Sequence, residues 1–274
     1  MTLTLRERIR VWVRNPATER RRQMRGALLQ FSPWTLSTFG LGFARLVNIF
    51  WAYHPDSYSW FGAHPEFRDL FRRFSRGNRL NNAGDTVRLW SFILNIKQVL
   101  QEGVEGDFAE LGVWRGNTAA VLAHFAWTSG RHLYLFDTFT GFDPADIKEV
   151  DIHARKGEFQ GTSVELVRQT IGPPWRSCHA VVGTFPNSVQ PEHRTKKYSI
   201  VSLDCDLYQP MKAGLEFFYP LMPRGGLLML HDYSSLHWAG ARRAIDEFCA
   251  ATGERLVLLP DKSGSAFIRR AGGA

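Results

Sequence analysis

Acidic side chains stand at the predicted carboxyl ends of four β-strands in this 274-residue chain. In order along the sequence they are Glu110, Asp137, Asp204 with Asp206, and Asp232, which follows His231. Ligands of open α/β sheets bind at the carboxyl ends of the strands, so these side chains are the first candidates for chemistry. An acid at a strand end is also a common helix cap or turn residue, but four in consecutive order favour a shared site.

The first two acids have the spacing of a nucleoside site. Glu110 is followed by Gly112 and Gly116, an E-x-G-x-x-x-G pattern that lets the backbone approach a ligand and leaves a helix N-terminus open. A dinucleotide pyrophosphate needs the tighter G-x-G-x-x-G turn. S-adenosylmethionine carries no phosphate, so this looser loop suffices, and an acid can meet its ammonium group. Asp137 can accept hydrogen bonds from ribose hydroxyls.

The later acids are suited to metal and proton chemistry. Carboxylates of Asp204, Asp206 and Asp232, with the imidazole of His231, could bind a divalent cation. A cation lowers the pKa of a bound alcohol, and a neighbouring carboxylate could take the proton. A hydrogen-bonded acidic turn without metal remains an alternative. So does a DxD-type glycosyltransferase that holds a metal-bound nucleotide sugar at Asp204 and Asp206.

The elements that must position these residues follow an alternating pattern. Strands are predicted at 108–113, 133–136, 180–183, 198–203, 226–230, 255–259 and 266–269. Helices are predicted at 118–127, 164–171, 211–219 and 238–252 between them. The pattern predicts an α/β fold with a mostly parallel, seven-stranded sheet, whose last two strands form an antiparallel hairpin.

Two further segments complete the predicted organisation. A helix over 85–102 precedes the sheet, with a mostly apolar stripe that contains Val87, Trp90, Ile93, Leu94, Lys97 and Leu100. The polar stretch 141–160 is predicted to be a lid or substrate loop whose acids are solvated. We expect two domains, a basic and aromatic helical extension over 1–80 and the ligand-binding domain over 81–274.

Charge and composition restrict the environment of the protein. The net charge is +8, and residues 1–26 contain eight Arg against two Glu. A solvated basic arm is favoured over an anion-binding one, with weak membrane-surface contact left open. No nucleic-acid partner is expected because no basic motif interleaved with aromatics lies near the acids. The three cysteines have no spacing typical of a disulfide or metal site, and the sequence has no strongly apolar run of about 18 residues. These two features predict a cytoplasmic protein. A homo-oligomer is left open.

Four segments carry a resemblance to a known family. They are EGVEGDFAELGVWRG at 102–116, FDTFTGF at 136–142, LDCDLY at 203–208 and GGLLMLHDY at 225–233. With them the chain resembles, from about Asn81 to Arg270, the macrocin O-methyltransferase family, whose members methylate sugar hydroxyls of antibiotics. The resemblance implies a Rossmann-like class I methyltransferase fold. It implies a metal-assisted O-methyltransferase that uses S-adenosylmethionine and acts on a sugar or another glycosylated small molecule.

The resemblance also implies roles for individual residues. The implied cofactor contacts are Glu110, Gly112, Arg115, Asp137 and Phe139, with adenine near Gly183 and Phe185. The implied Mg²⁺ ligands are Asp204, His231 and Asp232, with Asp204 also the catalytic base. The chain departs from the family at His231, where two adjacent aspartates are usual. The loop 143–160 and the first 78 residues also match poorly, so the acceptor pocket is this chain's own.

Overall fold

The computed structural model describes residues 65–78, 82 and 85–271. The chain divides into two compact units, residues 1–68 and 69–274, and the fold described below is that of the second. The predicted helical extension and basic arm lie almost entirely outside the described residues. The boundary between residues 80 and 81 stays a prediction, and the sheet-bearing unit already includes the segment from Asp69 onward.

Six helices and seven strands make up the described part of the chain. The helices are α1 (Pro65–Ser75), α2 (Thr86–Gln101), α3 (Asn117–Thr128), α4 (Val164–Ile171), α5 (Tyr208–Leu221) and α6 (Ala239–Thr252). The strands are β1 (Asp107–Leu111), β2 (Leu133–Asp137), β3 (Cys178–Val182), β4 (Tyr198–Leu203), β5 (Leu227–Leu230), β6 (Val257–Leu258) and β7 (Ala266–Arg269). Short 3₁₀ turns at Pro173–Ser177 and Pro191–Thr195 precede β3 and β4.

The strands form one seven-stranded sheet in the order β3-β2-β1-β4-β5-β7-β6. The first five strands of that order are parallel, whereas β7 is antiparallel to both β5 and β6. The predicted mostly parallel sheet with a C-terminal hairpin is therefore confirmed. Because β1, β2, β4 and β5 run in the same direction, their carboxyl ends form a single edge, which we call the rim.

The two faces of the sheet are buried by different helices. Alternate residues such as Ala109, Leu111 and Val201 join one apolar core with α5 and α6. The residues between them point to the opposite face, because successive side chains of a strand alternate. There α2 packs against β4 and β5, and α3 packs against β1 and β2. Glu110 lies on this second face.

The predicted apolar stripe of α2 is not the side of the helix that packs against the sheet. The buried residues of the helix are Thr86, Arg88, Leu89, Phe92, Ile93, Ile96 and Val99. Of the predicted stripe only Ile93 is buried, and the Leu94 side chain is 47% exposed. The helix carries two apolar stripes at helical spacing, and the stripe of Leu89, Phe92 and Ile96 is the one that packs on the sheet.

Two smaller observations bear on the environment of the protein. The three cysteines, Cys178, Cys205 and Cys249, form no disulfide. Across the described ranges, every helix is too short or too polar to cross a membrane. The cytoplasmic location stays a prediction.

Candidate functional site

The parallel register of the sheet brings the predicted site residues to the rim. Glu110 on β1 lies opposite Leu135 of β2 and Ser202 of β4. Asp137 ends β2, while Asp204 and His231 directly follow β4 and β5. Side chains separated by more than a hundred positions in sequence are thus placed along one edge.

Glu110 is a buried carboxyl group with unused hydrogen-bonding capacity. Its residue is only 1% exposed, and among the described residues its Oε2 atom has no hydrogen-bond partner. Burial raises the pKa of Glu110 well above its usual range, and the charges of Asp204 and Asp137 raise it further. The Ser202 hydroxyl acts in the opposite direction by donating a hydrogen bond. A buried acceptor without a partner costs free energy, so this position suits a ligand that brings a positively charged donor.

The two glycines of the first loop are required by packing within the protein. Gly112 has φ +85°, and a Cβ there would lie 2.0 Å from the carbonyl oxygen of Asp204. Gly116 has φ +77° at the start of α3, and its Cβ would lie 2.8 Å from Val167 Cγ1. The sequence predicted glycines that make room for a ligand. The structure shows glycines that let the β1 loop pack against the end of β4 and against α4.

Asp137 organises the same loop from the neighbouring strand. Its Oδ2 accepts hydrogen bonds from the backbone N–H groups of Val113 at 2.6 Å and Trp114 at 2.9 Å. Its Oδ1 accepts from the N–H of Phe139 at 2.6 Å. A carboxylate has about four lone-pair sites, so three backbone bonds leave room for little more than one ligand hydroxyl. Phe139 is buried with φ +55°, a conformation that this bond helps to hold.

Arg115 is turned toward protein groups. Its Nη1 donates to the carbonyl of Gly77 at 2.8 Å, and its guanidinium lies 4.8 Å from the ring centre of Trp114. The implied contact between Arg115 and the cofactor therefore stays a prediction.

The predicted adenine contacts separate into one rim residue and one core residue. The Gly183 N–H donates to the Asp137 carbonyl at 3.0 Å, so Gly183 stands beside the end of β2. Phe185 is 5% exposed, and its ring packs against those of Phe136, Phe217 and Phe218. The ring of Phe185 therefore belongs to the core, and an adenine contact of this residue stays a prediction.

Three carboxylates converge at the ends of β4 and β5. One oxygen each from Asp204, Asp206 and Asp232 lies within 4.8 Å of the others. Asp206 and Asp232 have φ +59° and +58°, a left-handed conformation that aspartate tolerates better than most residues and that points to a functional constraint. The Asp204 side chain keeps 30% of its exposure whereas Asp206 is buried, so solvent reaches the cluster at its Asp204 side.

The electrostatics of this cluster favour a cation. Burial raises the pKa of Asp204 to about 6 and that of Asp232 to about 7, and the charge of Asp204 adds to the shift of Asp232. Burial together with the charges of Asp232 and Asp204 raises the pKa of Asp206 well above its usual range. Like charges held together in a poorly solvated place repel one another, and a divalent cation relieves that repulsion. An all-oxygen set of ligands suits a hard ion such as Mg²⁺ or Mn²⁺.

His231 lies outside the group of three converging carboxylates, and its role as a metal ligand stays a prediction. The imidazole is 1% exposed and points into the sheet face, with Nε2 3.4 Å from Ser202 Oγ. Its Nδ1 is 3.4 Å from Asp204 Oδ2 and 3.5 Å from Arg88 Nη1. Burial and the charge of Arg88 lower the pKa of His231 to about 3, which keeps the ring neutral.

The two nitrogens of this ring have different neighbours. Nε2 faces the Ser202 hydroxyl, which donates to Glu110. Nδ1 faces both Arg88, which can only donate, and the Asp204 carboxylate, which accepts. A series of polar contacts therefore runs from Glu110 through Ser202 and His231 to Arg88 and Asp204.

Arg88 is a site residue that the sequence did not reveal. Its side chain is buried, pairs with Asp85 at 3.4 Å and donates to Ser263 Oγ at 2.6 Å. Its charge lowers the pKa of both Asp204 and Asp232 against the effect of burial. In the sequence Arg88 is a single arginine next to the apolar positions of α2. An exposed arginine would have the same spacing, so the sequence does not indicate that Arg88 is buried.

The loop between β2 and α4 is anchored to the rim at several points. Asp151 is 4% exposed, and its Oδ1 accepts from the N–H of Tyr208, the first residue of α5, at 3.1 Å. The expectation that all the loop acids are solvated was wrong for Asp151. At the other end of the loop the Thr162 hydroxyl donates to the carbonyl of Trp114. The segment is thus attached to both the β1 and the β4 sides of the rim.

Comparison with known proteins identifies relatives for most of this unit. A profile of the family described as macrocin O-methyltransferase (TylF) matches residues 83–257. A curated relative is the 8-demethyl-8-(2,3-dimethoxy-alpha-L-rhamnosyl)-tetracenomycin-C 4'-O-methyltransferase of Streptomyces olivaceus. It is 31% identical over 151 residues, which are 51% of this chain and 57% of that protein. The matched region thus spans little more than half the length of that relative.

Solved structures give the same fold. The O-methyltransferase NovP has a TM-score of 0.61 and 22% identity, covering 77% of this chain and 91% of NovP. CalS11, described as a calicheamicin methyltransferase, has a TM-score of 0.55 and 21% identity, covering 76% of this chain and 94% of CalS11. At these identities the likeness concerns the fold, and the predicted Rossmann-like class I fold is confirmed.

Proposed function

Because this chain belongs to the macrocin O-methyltransferase family, we propose that it transfers a methyl group from S-adenosylmethionine to a hydroxyl of a sugar or glycosylated metabolite. The observation that carries the proposal is the shared rim. The carboxyl of Glu110, whose Oε2 has no partner among the described residues, lies on β1, and Asp204, Asp206 and Asp232 follow the adjacent strands β4 and β5. A methyl donor and its acceptor must occupy neighbouring places of this kind.

The β1 and β2 ends fit the methyl donor. The buried Oε2 of Glu110 would pair with the ammonium group, which supplies the missing hydrogen-bond donor. The loop from Gly112 to Gly116 lies against the start of α3, and the remaining capacity of Asp137 would take a ribose hydroxyl. Gly183, beside the end of β2, would border the adenine. Arg115 and Phe139 stay in the proposal as residues of the loops around that site.

The β4 and β5 ends fit a divalent cation. Asp204, Asp206 and Asp232 would hold it, and Asp206 replaces His231 in the set first predicted. When bound, the ion supplies Lewis acidity that lowers the pKa of an acceptor hydroxyl. Metal assistance is supported by the mutual repulsion of these carboxyl groups and by their all-oxygen chemistry.

The residues of the chain then perform the remaining tasks. Asp204 takes the proton of the acceptor hydroxyl as general base while the oxygen forms its new bond to the methyl carbon. The bond from that carbon to the sulfur of S-adenosylmethionine breaks at the same time, and S-adenosylhomocysteine leaves with the electron pair. The charge of Arg88 lowers the pKa of Asp204 and so favours the ionised form that a base requires, and the neutral ring of His231 lies against the same carboxylate. Alignment of the oxygen with the methyl carbon supplies much of the rate, because methyl transfer needs little other assistance. The glycosyltransferase alternative is not favoured, since the family match covers the DxD segment itself.

Calorimetry tests the cofactor part of the proposal. We expect S-adenosylhomocysteine to bind and UDP or GDP not to bind. Binding of the nucleotide diphosphates without S-adenosylhomocysteine would support the glycosyltransferase alternative.

The variant Asp204→Asn tests the catalytic part. Transfer of labelled methyl from S-adenosylmethionine to rhamnosides should fall by about 10²-fold or more, because both the base and a metal ligand are lost. S-adenosylhomocysteine affinity should stay within a few-fold. Asp246→Asn, an exposed aspartate on α6, is the matched control and should retain transfer. Normal turnover by Asp204→Asn would contradict the site assignment.

A further inference from the structure

Two histidines meet at the amino ends of β2 and β3, at the opposite end of these strands from the rim. His132 directly precedes β2, and His179 is the second residue of β3. The Nδ1 atom of His132 lies 3.0 Å from the Nε2 atom of His179, and the ring centres are 5.0 Å apart. Both residues are exposed. We call them the histidine pair, and neither takes part in the site described above.

The register of the sheet places the two rings on one face. His179 of β3 lies opposite Tyr134 of β2, and Tyr134 follows His132 by two positions. Successive side chains of a strand alternate between faces, so the side chains of these three residues share a face. The distance between the two backbones is set by the parallel pairing of β2 with β3, and a flexible loop plays no part in it.

Neighbouring groups hold both members of the pair in place. The His179 ring stacks on the Tyr134 ring, with centres 4.9 Å apart and an interplanar angle of 15°. The backbone N–H of His132 donates to Asp107 Oδ1 at 3.0 Å, and its carbonyl accepts from the N–H of Phe108 at 2.8 Å. Groups that are ordered in advance lose less free energy when a ligand binds.

The separation of the two nitrogens fits neighbouring ligands of one metal ion. With Zn–N bonds of about 2.0–2.1 Å, two nitrogens of a tetrahedral site lie about 3.3 Å apart, and bonds of the same length in a square-planar copper site place them about 2.9 Å apart. The distance in the histidine pair, 3.0 Å, lies between these values. A hydrogen bond between the rings, with one nitrogen protonated, is the competing interpretation of this distance.

The charges around the pair favour the neutral form of the imidazole. Partial burial lowers the pKa of His179, the charges of His132 and Lys196 lower it further, and the charge of Asp107 opposes them. Metal ligation requires a neutral imidazole with a free lone pair. The ammonium group of Lys196 lies 3.8 Å from Asp107 Oδ2, so a carboxylate balances the nearest positive charge.

We propose that His132 and His179 together bind one divalent transition-metal ion that prefers imidazole, Zn²⁺ or Cu²⁺, with water completing its coordination. The ion links β3 to β2. β3 is an edge strand, and each of its five residues is at least partly exposed, so core packing holds it less firmly than the central strands. The inference is independent of the proposed function, because the histidine pair and the rim lie at opposite ends of the strands.

Electron paramagnetic resonance of the untagged chain with one equivalent of Cu²⁺ tests the ligands. Spin-echo modulation by the outer nitrogen of an imidazole identifies histidine ligands, and combination peaks in that modulation indicate two of them on one ion. A large excess of Mg²⁺ competes for the carboxylate cluster, whose oxygen ligands give no such modulation. We expect combination peaks from the unaltered chain.

Substitution of each histidine assigns those peaks. His132→Gln and His179→Gln should each remove the combination peaks and weaken Cu²⁺ binding by about tenfold or more, because even loss of an outer partner of a metal ligand costs about 10–100-fold. The matched control is His237→Gln. His237 and His153 are also an exposed pair, but their rings stack at 4.8 Å and 12°, so their in-plane lone pairs do not converge on one ion. This variant should keep the peaks.

Thermal unfolding tests the link between the two strands. Zn²⁺ at about tenfold above its measured dissociation constant should raise the unfolding midpoint of the unaltered chain by about 3 °C or more, because it binds the folded chain in preference to the unfolded one. The rise should be absent in His132→Gln and in His179→Gln and should persist in His237→Gln.

Two spectroscopic results would overturn the metal site: a copper spectrum of the unaltered chain without combination peaks, or peaks that survive both substitutions. The pair would then be a hydrogen bond only. An unchanged unfolding midpoint with the ion bound would contradict the link between β2 and β3. Circular dichroism of each variant establishes that a lost signal reflects a lost ligand in a folded chain.

Discussion

Asp137 shows how one carboxylate can serve the protein and a ligand together. Three backbone N–H groups, from Val113, Trp114 and Phe139, already point at its two oxygens. These bonds hold the β1 loop and the β2 loop in fixed positions on either side of the proposed nucleoside site. A site whose loops are ordered in advance loses less free energy when a ligand binds.

Replacement of Asp137 should therefore lower the affinity for the cofactor, because the two loops lose the hydrogen bonds that hold them in position. In Asp137→Ala the three N–H groups lose their acceptor, and the ribose loses one as well. We expect S-adenosylhomocysteine affinity to fall by about 1–3 kcal/mol, the usual cost of unpaired polar groups, as measured by calorimetry. Asp246→Ala, on the exposed side of α6, is the control. Unchanged affinity in Asp137→Ala would show that neither the loops nor the ribose depends on this carboxylate.

At the residue scale the sequence predicted which acids reach the rim but not what each one contacts. Glu110, Asp204 and Asp232 follow from strand ends, because parallel strands present their ends on one edge. The sequence does not predict that Asp206, rather than His231, belongs to the carboxylate cluster. The position of His231 depends on Arg88, which extends from α2 to the Nδ1 atom of the imidazole. A contact of that kind between residues 143 positions apart leaves no trace in local spacing.

Helix α2 illustrates the limit of periodicity at the scale of the element. Its apolar residues follow helical spacing on two stripes, one with Leu89, Phe92 and Ile96 and one with Trp90 and Leu94. The period identifies a helix and its approximate ends, and Asp85 does cap the first turn as an N-cap should. The period does not determine which stripe meets the sheet. Arginine is usually exposed and leucine usually buried, whereas on this helix Arg88 is buried and Leu94 is exposed.

Mutation of one residue from each stripe tests the orientation of α2. Phe92 is fully buried and contacts the rings of His231 and Phe267, so Phe92→Ala should reduce the free energy of unfolding by about 3–5 kcal/mol. Leu94→Ala, on the exposed stripe, should change it by less than about 1 kcal/mol. Chemical denaturation measures both. Equal losses would indicate that the helix is rotated from the position described.

The strands were easier to predict than the helix faces. The segments of β1, β2, β4 and β5 are short, mostly apolar runs that end at or next to an acid, a glycine or a histidine, and burial on both faces favours such runs. The anchoring of the loop by Asp151 was not predictable, since an acid in a polar loop is usually solvated. Its burial results from the close approach of Gly240 and Tyr208.

At the scale of the whole molecule, a buried histidine makes stability depend on pH. His193 is 5% exposed, and its Nδ1 accepts a hydrogen bond from the N–H of Gln190 at 2.9 Å, which requires the neutral ring. Burial, assisted by the charge of Lys196 and opposed by Glu192, lowers the pKa of His193. The unfolded chain therefore binds this proton at a higher pH than the folded chain does. Its contribution to stability is present above about pH 6.5 and is lost as the pH falls below that value.

Comparison with His193→Gln isolates this contribution. Between pH 7.5 and 5.5 the unaltered chain should lose more unfolding free energy than the variant, with slopes that differ by at most about 1.4 kcal/mol per pH unit. Denaturant titrations at several pH values measure the slopes, and the other titrating groups are common to both proteins. A variant that loses stability as steeply as the unaltered chain would show that His193 is not held neutral by the fold.

The most direct test of the whole arrangement is a crystal structure of the chain with S-adenosylhomocysteine and Mn²⁺, whose anomalous scattering locates the ion. We expect the nucleoside along Gly112, Asp137 and Gly183, with its amino group at Glu110, and an anomalous peak among Asp204, Asp206 and Asp232. Nucleoside density at another edge of the sheet, or a manganese ion bound away from those three aspartates, would contradict this expectation.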